Sequence, residues 1–185
     1  MEPKVIKESE AKMKKTLSSL DKELGKVRTG RASLALLDDI RMDYYGAPTP
    51  LNQVATLSVP ESRLIVIQPW DTSTIGEIER ALLKSELGMT PVNDGKVIRI
   101  TIPKLTEERR KELVKVVKKM GENSKIGARN IRREAIERLR KMEKAKEISE
   151  DELHQWQTQV QKITDKFIGQ IDELIEAKEK EVMEI

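Results

Sequence analysis

Along this chain the apolar residues fall on a helical period in three long stretches, and on a shorter, alternating period between the first two. In residues 3–28, Ile6, Met13, Leu17, Leu20, Leu24 and Val27 recur at steps of 3, 4 and 7. That is a narrow heptad seam suited to a coiled bundle. Pro3 fits a first helical turn, and Thr29-Gly30 punctuates the stretch. Residues 106–144 carry a second seam: Leu113, Val117, Met120, Ser124, Ala128, Ile131, Ala135, Leu139 and Met142. Its spacing is nearer an 11-residue repeat than a strict heptad, so little supercoiling is expected. Thr106 is the expected N-cap, with Glu107 and Glu108 in the first turn, and Pro103 breaks any helix arriving from upstream. Residues 149–184 open on Ser149-Glu150-Asp151-Glu152, which reads as a capping box. Their seam is Leu153, Trp156, Val160, Ile163, Phe167, Ile171, Leu174 and Val182. One apolar stripe makes a weak helix in water, so the three stretches predict an elongated three-helix bundle.

Residues 31–105 have a different grain. Ile40–Tyr45 alternates apolar and polar positions ahead of the turn-rich Gly46-Ala47-Pro48-Thr49-Pro50, and the alternation puts one of Tyr44 and Tyr45 in the core. Val54–Val59, Leu64–Ile67 and Val97–Ile102 read as strands, and Thr74–Leu83 as a short helix with Ser73 at its N-cap. Asn93-Asp94-Gly95 signals a turn before the last strand. The predicted fold class is therefore α+β: residues 1–30 and 105–185 form the bundle, and residues 31–104 form a small α/β domain inserted between its first and second helices. The short linkers, Thr29, Gly30 and Arg31 on one side and Pro103, Lys104 and Leu105 on the other, predict a hinge.

Charge changes the picture more than composition does. The net charge of +3 over 185 residues is mild, but residues 106–146 carry +8 and residues 147–185 carry −7. This pattern predicts two helices that attract each other and one surface facing a polyanion. Taking Ala128 as zero and advancing about 100° per residue, Arg132, Lys125, Lys118, Lys111, Arg129, Arg140, Lys115 and Arg133 fall between roughly 40° and 140°. Glu122 and Ile136 interrupt that flank. A charged run on a helix is usually a solvated face, but two features argue otherwise here. The densest cluster, Arg129, Arg132 and Arg133, uses the forked guanidinium that matches phosphate, and Asp or Glu partners at i±4 are nearly absent. Arg28 and Arg31 extend the positive field. The few aromatics offer no stacking platform for single-stranded bases, because Trp156 and Phe167 lie on an apolar seam. Folded RNA recognised through its phosphates fits better.

The chemistry of catalysis is thin. There is no Cys and a single His, His154, so neither a disulfide framework nor a zinc site is expected, and no cofactor or metal is predicted. Gly25-Lys26-Val27-Arg28-Thr29-Gly30-Arg31-Ala32 echoes a phosphate loop, but it lacks the Lys-Ser/Thr ending and follows a helix rather than a strand. No apolar run long enough for a membrane span or a leader is present, and the chain reads as soluble and cytosolic. The residues thus predict a non-enzymatic factor that lays a basic helical face on structured RNA. A structural coiled-coil adaptor is the alternative of a different class.

Five stretches resemble one family, the bacterial ribosome recycling factors. They are Val27-Arg28-Thr29-Gly30-Arg31-Ala32-Ser33, Asp43-Tyr44-Tyr45-Gly46-Ala47-Pro48-Thr49-Pro50, Pro103-Lys104-Leu105-Thr106-Glu107-Glu108-Arg109-Arg110-Lys111, Ala128-Arg129-Asn130-Ile131-Arg132-Arg133 and Lys146-Glu147-Ile148-Ser149-Glu150-Asp151. The resemblance implies an L-shaped molecule of transfer-RNA-like outline that acts as a monomer in the cytoplasm. It implies binding to the post-termination ribosome through large-subunit ribosomal RNA. It further implies dissociation of that ribosome into subunits together with elongation factor G, whose GTP hydrolysis supplies the energy. The family's RNA-contacting arginines correspond to Arg28, Arg31, Arg129, Arg132 and Arg133, with Arg109 and Arg110 as further candidates. Its hinge corresponds to the two linkers.

Overall fold

A computed structural model of the chain describes residues 3–86 and 88–184. The chain divides into two compact units, Met1–Leu24 with Lys111–Ile185, and Gly25–Arg110.

The first unit is built from long helices: α1 (Lys4–Gly25), α3 (Glu107–Lys144) and α4 (Glu150–Met183). α1 ends earlier than its apolar period suggests. After Gly25 the chain turns sharply, and a Cβ on Gly25 would stand 3.1 Å from Ala35 Cβ, so Val27 leaves the helical seam. The start of α3 follows local chemistry, with Thr106 Oγ1 accepting from the Arg109 N–H at 3.2 Å. The capping box at α4 is complete. Ser149 Oγ accepts from the Glu152 N–H, and Glu152 Oε2 accepts from the Ser149 N–H. That second bond is the main cause of a Glu152 carboxyl pKa below the usual range.

Between the helices the buried positions follow the expected seams. Ile6, Met13, Leu20 and Leu24 of α1 are buried, as are Leu113, Val117, Ala128, Ala135 and Leu139 of α3 and Val160, Phe167, Ile171 and Val182 of α4. Buried positions also lie outside those seams, among them Val5 and Ser9 of α1, Thr164 and Lys178 of α4, and Gly121 of α3. Thr164 returns its hydroxyl to the Val160 carbonyl at 2.7 Å. Lys178 is buried beside Glu181, with 3.0 Å between Nζ and Oε2. Gly121 is buried because a Cβ there would stand 2.5 Å from Ile175 Cγ1. Cross-helix contacts give the directions. Glu8 meets Arg138 and Lys12 meets Glu134, while Lys118 meets Glu179 and Lys125 meets Asp172. α3 is therefore antiparallel to both α1 and α4.

The second unit holds a hairpin, β1 (Arg41–Tyr44) with β2 (Ala47–Pro50), and a four-stranded antiparallel sheet of order β3-β4-β6-β5. The sheet strands are β3 (Ala55–Glu61), β4 (Leu64–Pro69), β5 (Pro91–Asn93) and β6 (Ile98–Thr101). Ile65 pairs with Ile100 and Ile67 with Ile98. All four side chains are buried, in one core cluster with Ile78 and Leu82 of α2 (Ile75–Lys84). Alternation sends Val66, Arg99 and Thr101 the other way.

Three local readings need correction. The N-cap of α2 is Thr74, not Ser73, and it makes no side-chain cap bond. Asp71 instead caps a single 3-10 turn, Thr72–Thr74, that leads into the helix. Residues 47–50 form β2 rather than a loop, because Pro48 and Pro50 are tolerated in a two-stranded hairpin. Neither Tyr44 nor Tyr45 enters the core. β1 points Met42 inward, and Tyr45 is 84% exposed with φ +49. With Gly46 at φ +85, that is the doubly positive turn a two-residue hairpin requires. The predicted turn at Asn93-Asp94-Gly95 joins β5 to β6. There Asp94 Oδ1 accepts from the Lys96 and Val97 N–H groups at 2.9 Å each, and the Val97 bond is the leading reason its carboxyl pKa lies well below the ordinary range.

The two helical glycines of α3 that face other helices make opposite predictions. Gly127→Ala places a Cβ at ordinary contact, 3.6 Å from Thr16 Cγ2, and should stabilise the fold by up to about 1 kcal/mol through helix propensity. Gly121→Ala meets the stiff, β-branched Ile175 and should lose about 1–3 kcal/mol to overpacking, which outweighs the same gain. Urea unfolding of the two variants checks both signs.

Candidate nucleic-acid interface

The cationic flank of α3 exists in the fold, but its charge is distributed less evenly than the angular count implies. On the side facing α4, Lys118 Nζ lies 3.9 Å from Glu179 Oε2 and Lys125 Nζ lies 2.5 Å from Asp172 Oδ1. Arg129 reaches back two turns along its own helix to Glu122, at 3.0 Å. The cross-helix pairs are the attraction between a basic and an acidic helix that the charge pattern predicts, and none of these contacts is an i±4 pair. The acids come from α4 and from i−7, which a search at i±4 does not see.

Arg132 and Arg133 have neutral partners. Arg132 Nη1 donates to Gln161 Oε1 of α4 at 3.1 Å. Arg133 donates to the side-chain oxygen of Asn130. Both guanidinium groups keep their full charge, with donors to spare. Arg132 is half-buried and Arg133 exposed, so packing fixes the stem of the first while its head stays at the surface. Lys115 and Arg140 stand exposed on the same flank. On the opposite side of α3, Arg138 and Glu134 are tied to α1 through Glu8 and Lys12. The hydrogen bond from Arg138 is the leading cause of a lowered Glu8 carboxyl pKa.

The other expected site residues belong to the sheet-bearing unit. Arg28 Nη2 donates to the Glu86 carbonyl at 2.5 Å. Arg31 and Arg109 are exposed and engaged in contacts of their own. Arg110 is half-buried, and its Nε has no hydrogen-bond partner. The linkers come together in this unit. Thr29 is buried, and Gly30 has φ +79, with its Cβ position 3.3 Å from Leu105 Cγ. The Ala32 N–H donates to Ser62 O and the Ile102 N–H to Arg63 O, each at 2.8 Å. Both linkers are thus anchored on adjacent carbonyls of the β3–β4 turn. Pro103 and Lys104 are exposed.

Sequence reasoning did not single out Gln161, Asp165, Asp172 or Glu179. The signal was present: Lys118, Lys125 and Arg132 are spaced by seven, and so are Asp165, Asp172 and Glu179. His154 is exposed. Among the described residues, no group of three or more His, Cys, Asp or Glu is placed to hold a metal ion, and no helix is long and apolar enough to cross a membrane.

The helical unit is thus a long antiparallel bundle with Arg132 and Arg133 held by neutral amides on one flank. The comparisons with known proteins identify its family. The sequence profile of the ribosome recycling factor family matches residues 20–183. The chain is 59% identical to the ribosome-recycling factor of Syntrophus aciditrophicus, and 57% identical to that of Halalkalibacterium halodurans. Each alignment covers 100% of both chains. A solution structure of a ribosome recycling factor matches with TM-score 0.80 at 45% identity, over 98% of this chain and 96% of that one. A second structure, of the T. thermophilus ribosome recycling factor with E. coli elongation factor G bound to the E. coli post-termination complex, matches with TM-score 0.69 at 45% identity, over 97% of each chain. The chain belongs to the ribosome recycling factor family. It is a non-enzymatic translation factor, and its function is ribosome recycling.

Releasing the lysines that α4 neutralises should strengthen attraction to polyanions. Asp172→Asn with Glu179→Gln is expected to elute later than the parent from heparin in a salt gradient. Unchanged or earlier elution would show that these pairs do not limit the flank.

Proposed function

We propose that the chain binds the post-termination ribosome by laying the α3 flank on large-subunit ribosomal RNA and, with elongation factor G and GTP, promotes its dissociation into subunits. The observation that carries this reading is the pair Arg132 and Arg133, held by neutral amides on a helix whose other cations are partly compensated. Phosphates at close spacing are the ligand such forks match. The similar structure in which a ribosome recycling factor is bound with elongation factor G to a post-termination complex supports the partner assignment.

In this reading Arg129, Arg132 and Arg133 contact phosphate directly, and Arg28, Arg31, Arg109 and Arg110 are secondary contacts. The helical unit is the RNA-binding arm, and the sheet-bearing unit is the part on which elongation factor G acts. Thr29, Gly30, Arg31, Pro103, Lys104 and Leu105 form the hinge. The shared anchoring of both linkers at Ser62 and Arg63 supports that role, because a hinge needs its two strands to move as one base. The factor works as a cytoplasmic monomer.

Arg132→Ala is expected to weaken binding to isolated large subunits about tenfold or more, in line with the loss of a charge-assisted bond worth roughly 1.5–3 kcal/mol, while helicity by circular dichroism stays unchanged. Unaltered affinity would sink the phosphate-contact reading. Binding of the parent chain should also fall steeply with salt, since each neutralised phosphate releases counterions. A flat log–log plot of affinity against salt would contradict an RNA-backbone interface.

A further inference from the structure

We propose that Gln161 is a positioning residue that keeps Arg132 available to phosphate by holding Asp165 away from it. This rests on the reading of Arg132 given above and adds a second residue to it.

The argument starts from the register of α3 against α4. The two helices are antiparallel, and their cross-helix ion pairs step by one heptad: Lys118 with Glu179, then Lys125 with Asp172. The next pair in that series is Arg132 with Asp165. It does not form. Arg132 Nη1 donates instead to Gln161 Oε1 at 3.1 Å, and Gln161 Nε2 donates to Asp165 Oδ1 at 2.7 Å. Gln161 and Asp165 are four residues apart on α4 and so lie on one face.

A primary amide suits this place. Its oxygen accepts from the cation, and its NH2 group donates to the carboxylate. Both polar groups are satisfied without meeting each other. A Glu at this position would pair with Arg132 and repel Asp165. An Ala would leave Asp165 free to reach the guanidinium that its register offers. Either change would place a carboxylate on Arg132, which a phosphate would then have to displace. The two lysines of the series are neutralised, and the arginine one heptad further on is kept charged. Only one of its five donors is engaged, in the bond to Gln161.

The test measures affinity for isolated large ribosomal subunits at fixed salt, with circular dichroism and thermal melts as controls. Gln161→Ala should bind up to about five-fold more weakly, the scale of an exposed ion pair that has to be broken first. Its Tm should be unchanged or raised, because a new ion pair forms. Gln161→Glu should weaken binding in the same way. Adding Asp165→Asn to Gln161→Ala should restore parental affinity. In the Arg132→Ala background, Gln161→Ala should have no further effect. The inference is overturned if Arg132→Ala weakens binding while Gln161→Ala binds like the parent. It is also overturned if Asp165→Asn fails to rescue, or if Gln161→Ala weakens binding equally without Arg132. Unchanged affinity of Arg132→Ala itself would remove the underlying reading, and this inference with it.

Discussion

The antiparallel packing of α3 on α4 is the constraint on which the helical unit depends. Neither helix has more than one apolar stripe, so each is stable only when the other covers it. A close approach lies at Gly121, where the Ile175 side chain occupies the space a Cβ would need. That contact fixes how the two helices slide against each other. Because polar positions flank the seam at the same period, the register that buries Val117, Ala128 and Ile171 also decides which charges face each other.

The consequences for the flank follow residue by residue. A basic helix beside an acidic one is an arrangement that could cancel itself. It does so at Lys118 and Lys125, where Glu179 and Asp172 arrive in register. At Arg132 the partner is a neutral amide, and at Arg133 it is Asn130 on the same helix. Acidic α4 therefore serves two ends. It holds α3 by complementary charge, worth little per exposed pair, and it brings no carboxylate to Arg132 or Arg133. The sheet-bearing unit has its own core of Ile65, Ile67, Ile98 and Ile100 under α2. It is tied at one turn to both linkers, through Ser62 and Arg63.

Much of this was readable beforehand where the cause is local. The capping box at Ser149 and the N-cap at Thr106 need only neighbouring residues. The helical seams follow from a period that one stripe of burial imposes. The β4 and β6 strands were visible because isoleucine alternates with residues that face away. Local signals misled where another segment decided. α1 ends at Gly25, beside which Ala35 packs, and Val27 leaves the seam. β2 exists because β1 pairs with it, in spite of two prolines. Met42 rather than a tyrosine fills the core, because the turn at Tyr45 and Gly46 sets the phase of the hairpin.

The sequence by itself determined the number of the long helices and the starts of α3 and α4, the presence of an inserted α+β unit, the sign of the α3 flank and the arginines that stand on it. These depend on periodicity and on charge per helix face, which are properties of one segment at a time. Only the tertiary structure decided which of those cations remain uncompensated. That depends on the register between segments far apart in the chain, and a shift of a single turn of α4 would have put a carboxylate where Gln161 now stands. A charged face is written in one helix, but its availability is set by the helix packed beside it.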